Sequence, residues 1–195
     1  MFRNLMLVAL AVIAVSASAQ TDQWQIDKVH STVGFSVRHM VVAKTTGEFN
    51  EFDGSLGFDG QNLAAGTVEV NVQMASVDTD DAKRDEHLRG ADFFDVANFP
   101  TMIFKSKKVI PGKDGAFQLV GDLTIRGTTK EVTFDCEFHG VINDPWGNTR
   151  AGFSAGTKIN RQDFKVSWSK ALDTGGVVVG DEVTVQLELE WVKAA

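Results

Sequence analysis

Apolar and polar residues alternate with a period of two along most of the chain from Val33 to Trp191, the spacing of β-strands that bury one face. Val33, Phe35 and Val37 alternate with Thr32, Ser36 and Arg38, and Phe52, Leu56 and Phe58 follow the same rule. Val68, Val70, Val72 and Met74 are separated by Glu69, Asn71 and Gln73, while Met102 and Phe104 open a run that passes into Lys105, Lys107 and Lys108. Phe117, Leu119, Leu123 and Ile125 form a fifth strand, and Val132, Phe134, Cys136 and Phe138 a sixth. Turn residues punctuate these runs at Pro111-Gly112-Lys113-Asp114-Gly115 and Gly127-Thr128-Thr129. Beyond the loop Asn143-Asp144-Pro145-Trp146-Gly147-Asn148, Phe153 to Ile159 is a seventh strand. Val183, Val185, Leu187, Leu189 and Trp191 mark the eighth.

One stretch departs from the pattern. Asp78 to Arg89 is highly charged, starts with residues that cap helices, holds the helix formers Ala82, Lys83, Arg84 and Glu86, and stops at Gly90. It predicts one short helix. Ala91 to Pro100 then carries Phe93, Phe94 and Phe99 among polar residues, as expected of a packed loop covering an opening.

Eight strands with one apolar face each must pair into two sheets or close on themselves, and closure alone removes exposed edges. The expected fold is all-β, an eight-stranded antiparallel β-barrel with one short helix. A barrel of that size has room for side chains or for one small ligand. Strand phase points Phe35, Val37, Phe52, Leu56, Val70, Val72 and Phe104 inward from the first four strands. From the last four it points Phe117, Leu119, Phe134, Phe138, Phe153, Val185 and Leu187 inward. These residues are the candidate pore lining, with Arg38 and His39 as candidate polar contacts at one end. The chain has 14 Phe and no Tyr, so its buried rings bring no hydroxyl with them and the interior is expected to be dry.

Composition narrows the setting. Arg3, the apolar run Leu5 to Val15 and Ala17-Ser18-Ala19 form a secretory signal peptide with cleavage expected after Ala19. The apolar run is shorter than the ~17 to 25 residues that span a bilayer, so no stable membrane anchor is expected. Removing residues 1–19 from 195 leaves a domain of 176, residues 20–195, in which 18 basic residues (19 less Arg3) face 26 acidic ones, a net charge of −8. That balance argues against nucleic acid and against an anionic membrane surface as partner. Periplasmic export is the expected localisation. Cys136 is the sole cysteine, and its inward phase makes it a buried, inert core thiol.

Catalytic chemistry finds little support. His30, His39, His87 and His139 scatter across different strand phases and the helix, so no zinc set is predicted. Nucleophile elbows, phosphate loops and paired-cysteine motifs do not occur, and Lys83-Arg84-Asp85-Glu86-His87 reads as a salt-bridged surface helix. Arg84 with Asp85, and Arg161 with Asp163, are expected as geometry-fixing ion pairs. The chain is expected to be a binding protein with neither catalytic residues nor cofactor. A protein-interaction β module and a hydrolase using the charged helix remain as alternatives. An edge-free barrel needs no partner, which leaves monomer and homodimer both open.

Four blocks carry a family resemblance: WQIDKVHSTVGFSVRHM at 24–40, KRDEHLRGADFFDVANFPTMIF at 83–104, GDLTIRGTTKEVTF at 121–134 and NRQDFKVSW at 160–168. In colinear order they resemble the YceI-like family. The resemblance implies a periplasmic, lipocalin-like barrel whose elongated apolar pore holds a polyisoprenoid, an isoprenoid quinone or another long lipid, with no catalytic residues. It also implies a loose link to lipid transport, storage or stress tolerance.

Overall fold

The computed structural model describes residues 21–173 and 175–194. The expected signal peptide, residues 1–19, and the expected cleavage after Ala19 fall outside the described residues.

The alternating runs form eleven antiparallel strands, six of which are halves of three bent ones. β1 (Asp22–Ile26) and β2 (Thr32–His39) follow one another along the flank of β11 (Val179–Lys193). β3 (Ala43–Phe49) and β4 (Phe52–Phe58) flank β2 and β1, and β5 (Thr67–Gln73) and β6 (Val77–Asp78) flank β4 and β3. β7 (Thr101–Pro111), β8 (Ala116–Ile125), β9 (Thr128–Asn143) and β10 (Thr149–Asn160) continue the meander to β11. Pairing of Trp24 with Lys193 and of Ile26 with Trp191 then closes the ring. The barrel therefore has eight strand positions, in the predicted order.

Three short strands carry no readable stripe. β1 offers only Trp24 and Ile26 as apolar residues, and β6 is two residues long. In β3 the partners of Val37 and Phe35 are Thr45 and Gly47, so inward positions are polar or vacant of side chain and the period-two signal disappears.

At one end of the barrel β6 stops without reaching β7, and α1 (Ala82–Arg89) covers the gap. Asp81 caps α1 by accepting from the N–H groups of Lys83 and Arg84, and Gly90 ends it. Arg89 donates to the carbonyls of Ala75 (2.7 Å) and Val77 (2.8 Å), filling acceptors that a strand partner would otherwise take. This is the helix end; the opposite end carries the 112–115 and 144–148 loops.

Two predicted ion pairs are replaced by other contacts. Arg84 donates to Thr79 Oγ1 (2.7 Å) and Thr79 O (2.6 Å), while Asp85 accepts from Thr79 N–H (3.0 Å) and Oγ1 (2.6 Å). Both side chains thus grip Thr79 rather than each other, because adjacent helix positions do not face one another. Arg161 pairs with Asp181 at 3.0 Å and not with Asp163, since the 3₁₀ turn Arg161–Phe164 lies against the start of β11. Among the described residues the charged run in α1 forms no Lys or Arg ion pair, and His87 hydrogen-bonds Asp92 (3.0 Å), so the helix is not laced by salt bridges along its own face.

Candidate ligand-binding cavity

A cavity of about 240 Å³ runs along the barrel axis. Leu63, Gly66 and Val109 line it towards the loop-rich end, and Phe93, Phe94, Phe164 and Val166 line it at the helix end. Between them stand the inward residues of the strands. Ten of the 14 Phe residues line it, as the absence of Tyr foreshadows.

Twelve of the predicted lining residues face the cavity: Phe35, Val37, Leu56, Val70, Val72, Phe104, Phe117, Leu119, Phe134, Phe153, Val185 and Leu187. Phe52 and Phe138 do not. The chain breaks at Asn50 and Glu51 between β3 and β4, and Phe52 drops into a second cluster with Val33, Phe49, Val72, Met74 and Val77. Phe138 lies beside an irregularity where Gly140 pairs with Gly152 but Phe138 pairs with Phe153. Its ring packs on Phe153 (5.0 Å between centroids) and edge-on to Phe58 (5.5 Å), behind the lining.

Several lining residues escaped the sequence reading. Leu123, Ile125, Leu189 and Trp191 share the phase of their strands and were legible. Val109 was not, because a bulge between Ser106 and Lys108 turns it inward after the even-numbered Phe104. Phe164 and Val166 sit in the irregular segment before β11, where periodicity has nothing to say.

The helix end is closed by two crossing segments. Phe93 and His87 pack on Trp168 (5.2 and 5.1 Å), and Arg126 donates to the carbonyls of Ala91 (2.6 Å) and Lys165 (2.8 Å), tying the segments together. Gly127, at φ +67°, lies where an added Cβ would come within 2.8 Å of Phe99, so the turn admits no side chain.

Arg161 is the charged residue of the lining, and its donors are committed. They reach the carbonyls of Gly180 (2.8 Å), Val166 (2.6 Å), Trp168 (2.8 Å) and Val179 (3.1 Å) as well as Asp181. It holds the cover in place and has little left to offer a ligand. Cys136 also lines the cavity, and burial pushes its thiol up to about 12. It is a wall atom, not a nucleophile. Of the candidate polar contacts, Arg38 points outward and is exposed, and His39 is half-buried beside the cavity's end without lining it.

The histidines do not converge. His30 meets Asp27 (3.0 Å), His87 meets Asp92, and His139 meets Ser154 (3.1 Å). Asp27, His30 and Glu190 do lie close enough to share an ion, but the Arg150 guanidinium sits among them. Arg150 bonds Asp27 (2.7 Å), Asp144 (2.7 Å) and Glu190, fastening the β1–β2 bend to β10 and β11. Burial alone would raise the Asp27 carboxyl, yet hydrogen bonds from His30, Arg150 and the Val29 N–H outweigh it and hold the group at about 2.

Residues 24–191 match the model of the YceI-like domain. The chain belongs to the YceI-like family. A UPF0312 protein of Vibrio cholerae is 40% identical over 169 residues, covering 85% of this chain and 89% of its own length. Among solved structures, Burkholderia cenocepacia BcnA superposes with a TM-score of 0.75 at 26% identity, covering 85% of this chain and 98% of BcnA. The Campylobacter jejuni YceI protein superposes at 0.71 with 30% identity, covering 87% and 96%. A polyisoprenoid-binding domain from Saccharophagus degradans shares the fold (TM-score 0.68, 14% identity, 88% and 98% covered). In this YceI-like chain the four sequence blocks map mainly onto the frame: the second forms α1 and the cover, and the fourth holds Arg161 and Trp168.

Proposed function

We propose that this protein binds a long apolar lipid inside the barrel without catalysing a reaction on it. The observation that carries this reading is an axial cavity lined from end to end by Phe, Val and Leu, whose one charged lining residue spends its hydrogen bonds on backbone carbonyls. Its volume, about 240 Å³, exceeds the ~150 Å³ of an apolar void that holds benzene and lies below the ~300 Å³ at which drug-sized pockets begin. A polyisoprenoid or isoprenoid quinone is larger than the resting space, so its chain enters by displacing flexible lining such as Met74 and Met102. A fatty acid or fatty amide fits the same chemistry. The polyisoprenoid-binding relative in fold supports the choice of ligand class.

The role we assign is carriage, storage or protection of such a lipid in the periplasm, after removal of residues 1–19. Native mass spectrometry of freshly purified protein tests the central claim. A co-purifying apolar molecule is the expected result; a barrel that is empty when purified and refuses every isoprenoid and acyl ligand offered would leave the protein-interaction reading in its place. N-terminal sequencing tests the export claim, with Gln20 expected as the first residue and an intact Met1 in the membrane fraction as the refuting result.

A further inference from the structure

The connection between β2 and β3 is an unusual turn. It consists of Met40, Val41 and Val42, which are 43%, 63% and 85% exposed, and Val177 beside it is 37% exposed. Consecutive apolar residues at a hairpin tip gain nothing from solvent. Met40 and Val41 also adopt φ of 49° and 66°, the left-handed region that a β-branched residue enters only at a cost and that Asn or Gly would occupy freely. Within the domain Val41 lies against Gly176 and stays exposed, so folding gains little from these residues and a contact outside the domain accounts for them.

Their surroundings indicate the partner. Arg38 and Lys44 face each other across the two strands, one pair behind the tip on the outer face. Lys170 belongs to the neighbouring segment, whose Val178 N–H donates to Lys170 O (2.9 Å) while Val178 O accepts from Met40 N–H (2.9 Å). Among the described residues none of these three cations forms an ion pair, in a chain whose net charge is −7. Opposed like charges destabilise a strand pair unless an anion is brought between or beside them. Apolar tip and cationic collar together match a bilayer, with the tip in the acyl boundary and the collar at anionic headgroups.

We infer that the β2–β3 hairpin is a reversible docking element for an anionic lipid bilayer. The overall acidic charge opposes adsorption elsewhere on the molecule but acts weakly here, because screening confines each charge to about 10 Å in ordinary salt. Docking would bring the covered, helix end of the cavity to the membrane: Val37, two residues from His39, lines the cavity there, as does Val179, which pairs with His39. The inference goes beyond the lipid-carrier reading and does not require it.

Flotation with vesicles of phosphatidylcholine, alone or mixed with phosphatidylglycerol, tests the inference. Wild-type protein should float with the mixed vesicles at low salt and much less at high salt. Val41→Asp combined with Val42→Asp should cut partitioning at least tenfold, and Arg38→Gln with Lys44→Gln should remove the preference for phosphatidylglycerol. Ile142→Asp, in the exposed hairpin at the opposite end, serves as control and should change nothing. Met40→Asn with Val41→Gly gives a second signature, raising the melting temperature by relieving the backbone while losing flotation. The inference fails if wild-type protein never floats, if the tip variants float like wild type, or if Ile142→Asp loses as much as they do. A dimer that the tip variants abolish, without flotation, would equally overturn it in favour of contact between two copies. Lipid retention in native mass spectra is scored without vesicles, so either claim can fail alone.

Discussion

At the scale of single residues, polar groups hold the barrel's ends while apolar ones define its interior. Arg161 is the clearest case, because four carbonyls and one carboxylate depend on it. Arg161→Ala should destabilise the fold by about 3 kcal/mol, the cost of stranding buried acceptors, as read from urea unfolding; a change below about 0.5 kcal/mol would show that water replaces it easily. Asp27 gives a pH test whose sign follows from its depressed carboxyl. Protons bind it more readily in the unfolded chain, at about 3.8, than in the folded one, at about 2. Its contribution is therefore complete above about pH 4 and lost as the pH falls towards 2. Asp27→Asn should lower stability at neutral pH and flatten its decline between those values; an unchanged acid limb would assign the acid sensitivity to other carboxylates. Cys136, held at about 12 by burial, should resist iodoacetamide at pH 8 in the folded protein and react fully in guanidinium.

At the scale of elements, sequence legibility follows the strength of the buried stripe. All eight long runs were readable because each pairs an apolar inner face with a polar outer one. β1 and β6 were not, being too short to carry a stripe, nor was β3, where Thr45 and Gly47 stand in place of apolar residues that would have announced a strand. Phase was readable only between irregularities: the bulge at Ser106–Lys108 hid Val109, and the break after Phe49 misplaced Phe52. The cover at the helix end was half legible, its Phe-rich loop recognised and its Arg161 ties misassigned, because a donor's carbonyl partners leave no mark in sequence. A paired substitution tests the phase assignment. Val72 is buried in the lining, whereas Asn71 turns outward and donates to Asp53 (3.1 Å). Val72→Lys should abolish folding or lipid retention, and Asn71→Lys should leave both intact, with circular dichroism and native mass spectrometry as the readouts. Equal tolerance at both positions would invert the assigned faces.

At the scale of the whole molecule, closure and composition together determine what the cavity can select. A ring of eight strand positions without a free seam at its loop-rich end gives a space whose girth is set by the strand number. Its wall presents no uncommitted charge to a ligand, so affinity must come from apolar area, at ~0.8 kcal/mol for each methylene buried, less the cost of ordering the chain. Within a series of isoprenoid or acyl ligands sharing one headgroup, affinity should thus rise with chain length and level off once the axial space is full. A methylene more or less is worth only ~1 to 3 kcal/mol, so the protein should discriminate by length and bulk rather than by exact identity. Salt should change the affinity little, because no ion pair is screened, and calorimetry should show a negative heat-capacity change. Arg38 and His39 supply the opposing case, standing at the helix end of the barrel beside the end of the cavity. Should affinity stay flat with chain length yet collapse in Arg38→Ala or His39→Ala, recognition would reside at the barrel mouth and the apolar wall would serve only to shelter the tail.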